Sequence, residues 1–207
     1  MLYPFLYAGG SGLDTLLEDV RRSTADKANE IVRLREAVLA EHGEGIAACA
    51  ARMADAFRSG GRLFAFGNGA GAADAQDVAA LFLNPGGSAR PLPAHALSSD
   101  AALVTALSDD IGFEAVYARQ LAAFGRPGDI ALALSTSGDS ANLIAALREA
   151  SRRGMATVGI TGRTGGRMAE TPGPTHLFTV PSSSAHRIQE ARTTICHALW
   201  ELTQEAL

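Results

Sequence analysis

Ser135-Thr-Ser-Gly-Asp-Ser140 places four hydroxyls within six residues. The run follows a short apolar segment, Asp129-Ile-Ala-Leu-Ala-Leu134, and precedes an Ala/Leu-rich helical pattern that begins near Asn142. A phosphate held in such a turn meets hydroxyl donors, backbone N–H groups and the positive end of a helix dipole. One hydroxyl suffices to cap a helix. The plainer reading is therefore a hydroxyl-rich cap, and the excess of hydroxyls argues instead for a phosphate cradle.

A second loop with chemical content is Gly67-Asn-Gly-Ala-Gly71, which follows the apolar run Arg62-Leu-Phe-Ala-Phe66. A dinucleotide site requires the G-x-G-x-x-G spacing and an acidic residue about twenty positions on. Here Ala72 stands at the third glycine position and no acid closes the next strand, which argues against that use. The loop reads instead as a place where absent side chains let a sugar approach the backbone at Gly69, with Asn68 bonding to it.

Other chemistries are set aside by composition. Of the 18 basic residues only Lys27 is a lysine, and it lies in a polar helical stretch, which disfavours lysine Schiff-base catalysis. No GK[ST] occurs, so there is no Walker A loop. A net charge of -4 argues against a nucleic-acid or anionic-membrane surface. Cys49 and Cys196 have neither disulfide-framework nor zinc-knuckle spacing and read as small buried residues. The Met1–Ala8 segment is apolar but short, is interrupted by Pro4 and lacks a basic flank; it reads as neither signal peptide nor membrane span, so a cytoplasmic protein is expected.

The elements that must position these loops are legible as period changes. Residues 12 to 59 carry apolar stripes of helical spacing, ended by Ser59-Gly-Gly61. Strands are expected at 62–66, 92–97, 129–134, 156–160 and 177–180. Helices are expected at 72–83, 101–107, 113–124, 142–153 and 187–207, with 161–166 a turn. Alternating strands and helices predict one α/β domain: a doubly wound, mostly parallel five-stranded sheet flanked by helices, a flavodoxin-like sandwich with an N-terminal helical extension. The extension, residues 1–59, has more apolar stripe than one sheet face can cover, so it is expected to serve oligomerisation beside an α/β core at 60–207. Ligands in such folds sit beyond the carboxyl ends of the strands. The loops after the first and central strands, and Pro181-Ser-Ser-Ser-Ala185 after the last, are expected to line one pocket.

Together, Gly67-Asn-Gly, Ala72-Ala-Asp-Ala75, Leu134-Ser-Thr-Ser-Gly-Asp-Ser140, Ile160-Thr-Gly with Gly165-Gly166, and Val180-Pro-Ser with Arg187-Ile-Gln-Glu190 resemble the sugar isomerase (SIS) domain in its phosphoheptose isomerase branch. The resemblance spans nearly the whole chain. It implies a tetramer that binds a phosphorylated sugar at subunit interfaces, with Ser135, Thr136, Ser137 and Ser140 on the phosphate, Asn68 on the sugar, and Gln189 and His197 projecting from the last helix. Asp110 joins this set as a candidate substrate contact. Gln189, Thr193 and His197 are spaced i, i+4, i+8 and so share one helix face.

The chemistry that the resemblance implies is conversion of sedoheptulose 7-phosphate to D-glycero-D-manno-heptose 7-phosphate, by proton transfer through an enediol. The branch uses a Glu on the helix after the glycine loop and the His on the last helix, and some members bind zinc. Against the usual G-N-G-G-S-A-A-D-A-Q-H-F-A-A-E, this chain has Gly71 at the Ser, Asp77 at the His and Leu81 at the Glu. Leucine neither transfers a proton nor binds a metal. Three readings stay open: a binding or regulatory protein for a sugar phosphate, an isomerase with His197 and one of Asp77, Asp110 or Glu190 as its acid/base pair, and a zinc site from Asp77, Gln189 and His197. The expectation is no cofactor, with binding favoured over catalysis. The resemblance includes a relative that associates with the replication initiator and also lacks the Glu, which supports the binding-protein reading and leaves room for a protein partner.

Overall fold

The computed structural model describes residues 13–170 and 174–207, so the Met1–Ala8 segment lies outside the described residues. Along the chain come α1 (Leu13–Arg58), β1 (Leu63–Gly67), α2 (Ala70–Leu83), β2 (Ala94–Ala96), α3 (Ala101–Ile111), α4 (Val116–Phe124), β3 (Ile130–Leu134), α5 (Ala141–Arg152), β4 (Ala156–Gly162), α6 (Gly166–Glu170), β5 (His176–Val180) and α7 (Ala185–Glu205). The strands form one fully parallel sheet in the order β2-β1-β3-β4-β5. β1, β3 and β4 are buried at every position, the pattern of strands covered on both faces. Successive side chains alternate between two cores. Leu63 and Ala65 join the core under α1, α2 and α7, while Phe64 and Phe66 join the one under α4 and α5.

This strand order carries a functional consequence. The chain runs outward from β1 to the edge strand β2 and then returns past β1 to β3, so the winding reverses between β1 and β3, where open α/β sheets bind ligands. Register sharpens the point: Gly67 pairs with Leu134, and Leu134 with Ile160. The glycine loop and the hydroxyl turn therefore leave the sheet side by side. At the opposite end the buried Asp129 carboxylate accepts the N–H groups of Arg62 (2.8 Å) and Arg126 (2.9 Å) and pairs with the Arg62 guanidinium (2.8 Å), holding the starts of β1 and β3 together.

Several elements depart from their sequence expectation. β2 spans only Ala94–Ala96 rather than 92–97: Pro93 has no N–H to give a ladder, and the chain turns at Leu97. β4 continues through Thr161 and Gly162, where a turn is expected, since Gly162 pairs with Val180. The turn comes later, with Arg163, Gly165 and Gly166 at positive φ, and leads into the short α6, too brief to show a period. α3 runs on to Ile111, and Gly112, at φ 89°, separates it from a 3-10 turn over Phe113–Ala115 that precedes α4.

α1 is a single helix of 46 residues with a buried and an exposed face. Leu34, Val38, Ile46, Cys49, Met53 and Phe57 recur at helical spacing and are buried against the sheet and α7. His42 ties the helix to the sheet edge, its Nε2 accepting the Thr179 N–H at 3.0 Å. Leu17, Val20, Val32 and Leu39 instead face outward, about half exposed or more. Among the described residues no helix is long and apolar enough to cross a membrane.

Candidate functional site

The glycine loop is shaped by how closely it lies on the end of β3. A Cβ at Gly67 would sit 2.5 Å from the Gly71 carbonyl oxygen and 2.6 Å from that of Leu134, and a Cβ at Gly71 would also sit 2.6 Å from Leu134 O. Gly69, at φ 55°, then turns the chain into α2. Two further contacts pin the loop. Tyr117 donates its hydroxyl to Gly67 O at 2.5 Å, and burial pushes its phenol up from the ordinary value, which keeps the donor protonated. Asn68 and Asn142 exchange a reciprocal pair of amide hydrogen bonds, both 2.9 Å. The Asn68 carboxamide, expected to contact a sugar, is thus engaged in locking the loop to the first turn of α5.

In the hydroxyl turn the four candidates are not equivalent. Ser135 is buried and its Oγ accepts the Gly138 N–H at 2.9 Å, so it shapes the turn from within. Ser137 Oγ accepts the Asp139 N–H at 3.2 Å. Thr136 and Ser137 are half-buried. Gly138, at φ 78°, lies against Gly165, where no side chain fits: a Cβ would approach Gly165 O to 1.8 Å. Ser140 stands at the N-cap of α5, yet its hydroxyl makes no capping bond; its carbonyl instead accepts from Leu143 and Ile144. The Ser140 hydroxyl therefore does not cap α5, while those of Ser135 and Ser137 are used within the turn. Ser140 keeps a donor at the positive end of a 12-residue helix.

The third part is a groove between α2 and α7. Asp74, Asp77, Val78, Leu81, Thr193, Cys196 and His197 line a cavity of about 40 Å³. The fold thus brings His197 and Thr193 to Asp77 and Leu81, residues more than 110 positions away, because α2 and α7 pack on the same face of the sheet. Gln189 joins the same helix face but is turned inward, its Nε2 donating to Asp74 Oδ1 at 2.9 Å. Asp74 is in turn ion-paired with Arg192, whose Nε donates to Oδ2 at 2.7 Å and whose Nη2 also reaches that oxygen. Asp74 and Arg192, 7% and 0% exposed, were not singled out from the sequence. The available signal was an arginine inside the apolar stripe Ile188, Ala191, Ile195, Leu199, a place where a charge needs a partner.

Other candidates fall elsewhere. Asp110 is exposed near the end of α3 and does not line the groove. Glu190 pairs with Arg187 at 2.7 Å, and Arg187 also reaches Glu30 on α1 at 2.9 Å, which directs that carboxylate toward α1. The loop after β5 also differs from expectation. Ser184 caps α7, and Pro181 and Ser182 line a separate cavity with Asp26, Asn29, Glu30 and Arg33 of α1.

The residues present do not make a zinc site. Leu81 offers no donor, Asp74 is ion-paired with Arg192, and Gln189, which donates its Nε2 to Asp74, is not among the residues that line the cavity. The Cys196 thiol is pushed up to about 12 by burial, far from the thiolate a metal binds. Of the lining residues Asp77 and His197 remain as ligands, fewer than the three protein ligands zinc ordinarily takes. Among the described residues no group of three or more His, Cys, Asp or Glu is placed to hold a metal ion.

Against known proteins, residues 28–162 match the SIS domain. The chain is 41% identical over 190 residues to the phosphoheptose isomerase of Roseiflexus sp. (strain RS-1), covering 90% of this chain and 94% of the relative. It is 39% identical over 191 residues to that of Aquifex aeolicus, covering 92% and 97%. Among solved structures, a phosphoheptose isomerase from Neisseria gonorrhoeae aligns with a TM-score of 0.83 at 34% identity, over 90% of this chain and 99% of that one. A phosphoheptose isomerase from Francisella tularensis aligns at 0.76 and 32% identity, over 88% and 98%.

Proposed function

The chain belongs to the SIS domain family, and from that premise we propose that it binds a phosphorylated sugar across the β1–β3 crevice, with isomerase chemistry weakened or absent. The phosphate sits on the turn from Ser135 to Ser140, and the sugar extends over the glycine loop toward the α2–α7 groove. The observation that carries this reading is the turn itself. Its Ser140 hydroxyl is not used for capping, it opens directly onto the first turn of α5, and Ser135 and Gly138 hold its shape.

At the sugar end, the groove holds Leu81 where the resemblance implies a proton-transferring Glu. Interconversion of an aldose and a ketose requires a base to remove the proton beside the carbonyl and an acid to return one to the neighbouring carbon. His197 can do one of these tasks, and Leu81 neither. A second reading, an active sedoheptulose 7-phosphate isomerase, is favoured by one observation: Asp77 lines the same cavity as His197, one helical turn before Leu81. In that case Asp77 is the base, displaced about 6 Å along α2 from the position of the missing Glu.

The groove also supports a shared site. Its volume of about 40 Å³ is well below the roughly 300 Å³ at which small-molecule pockets begin. A seven-carbon sugar therefore needs another surface to enclose it. The outward-facing Leu17, Val20, Val32 and Leu39, and an apolar cavity of about 320 Å³ at the α1–α7 seam, are consistent with burial against further copies, as in a homotetramer.

Ligand-induced stabilisation tests the binding claim without requiring turnover. Sedoheptulose 7-phosphate should raise the melting temperature, and Ser137→Ala with Ser140→Ala should abolish the shift. An undiminished shift in that double variant refutes the cradle.

A further inference from the structure

The Asp74–Arg192 pair is an expensive thing to bury. Arg192 is fully buried and Asp74 nearly so. Two of the three guanidinium nitrogens are committed to one carboxylate oxygen, while Nη1 is buried without a hydrogen-bond partner among the described residues. Replacing a buried ion pair by apolar side chains of similar volume is often neutral or stabilising, and an unpaired buried donor adds a further desolvation cost. Packing alone does not call for this pair. What an apolar pair cannot do is present a carboxylate oxygen to Gln189, and that is how the second oxygen of Asp74 is used, at 2.9 Å.

The geometry points to Arg192 as a positioning residue. By holding the Asp74 carboxylate in place it fixes the carboxamide of Gln189 beside the α2–α7 groove, and so sets how the sugar end of the ligand is recognised without touching the ligand. The inference rests on the phosphosugar reading above. Arg192 also abuts the other wall of the site. A Cβ at Gly71 would lie 3.8 Å from Nη1 and 2.6 Å from Leu134 O, so the guanidinium lies against the glycine loop where that loop meets β3. One buried side chain thus links Gln189, α2 and the β1–β3 crevice.

Two readouts test this, one of which needs no ligand. The side-chain amide of Gln189, followed by NMR, should be displaced from the position of a free glutamine in the native protein and should return to it in D74L/R192M, an apolar replacement that keeps the volume. With sedoheptulose 7-phosphate as the probe, D74L/R192M should melt close to the native protein yet bind about five- to tenfold more weakly, the worth of one neutral hydrogen bond. Q189A should show the same loss, and the triple variant no more. R192K, which restores a cation beneath Asp74, should bind more tightly than R192M, whereas a packing role makes the two equal. An unmoved Gln189 amide together with native affinity in D74L/R192M overturns the inference, as does R192K binding no better than R192M. If the native protein does not bind the probe, the phosphosugar reading fails and the amide resonance alone decides the positioning role: a Gln189 amide that shifts in R192M, where Asp74 is retained, and moves back in R192K upholds it, and no change in R192M overturns it.

Discussion

Placing a carboxylate at position 81 tests whether the groove lacks a proton-transferring group. In Leu81→Glu with Asp77→His, both new side chains project from α2 into the cavity that already holds His197 and Thr193. Leu81 is half-buried rather than enclosed, so a glutamate there keeps contact with water and avoids the large desolvation penalty of a buried charge. A positioned acid/base group contributes about 10²–10⁴-fold to rate, which is about 2.7–5.4 kcal/mol of barrier at 1.36 kcal/mol per tenfold. Sedoheptulose 7-phosphate isomerisation, followed by formation of the aldose product, should be near background in the native protein and rise by a factor within that range in the double variant. Two results refute the reasoning. Native turnover near the typical enzyme median of about 10 s⁻¹ shows that another residue is the base, and Asp77→Asn then becomes the decisive variant. A folded double variant that binds the sugar phosphate but gains no rate shows that more than the carboxylate is missing.

Gly71→Ser restores the residue expected from the resemblance, yet should destabilise the protein, because its Cβ would come within 2.6 Å of a backbone oxygen. A loss of about 1–3 kcal/mol is expected, as for other overpacked sites, and thermal unfolding at native temperature refutes the close-approach argument. Sedimentation at micromolar concentration should show an oligomer that Val32→Asp with Leu39→Asp dissociates; a monomeric native protein counts against the shared site. Burial raises the thiols of Cys49 and Cys196 from 9.0 to about 12, so the folded state holds their protons more tightly than the unfolded chain. Their contribution is fully present below about pH 9 and is lost as pH rises toward 12, so stability should fall over that window, and less steeply in Cys49→Ala with Cys196→Ala. Denaturant titrations across the range check this, and equal slopes in the two proteins refute it.

Much of this architecture is local information. The apolar runs of β1, β3 and β4, the helical stripe of α1 and the strand-to-turn-to-helix passage at Leu134–Ser140 are properties of neighbouring residues, because a period of two or of about 3.6 is set by backbone geometry alone. Asp77 and Leu81 are themselves readable on one helical stretch, and the fold only had to bring α7 beside them. Tertiary structure decided the rest. Arg192 meets Asp74 across 118 residues, and Asn68 meets Asn142 across 74. Neither pairing leaves a periodic trace, since a polar side chain looks the same in a sequence whether its partner is water or a distant residue. The same holds for the hydroxyl turn: four equivalent-looking hydroxyls became one that shapes the turn from inside, Ser135, and one left uncapped at the helix end, Ser140. Ser135 faces inward to accept the Gly138 N–H, and Gly138 lies against Gly165, a contact between two loops that only the assembled sheet brings together.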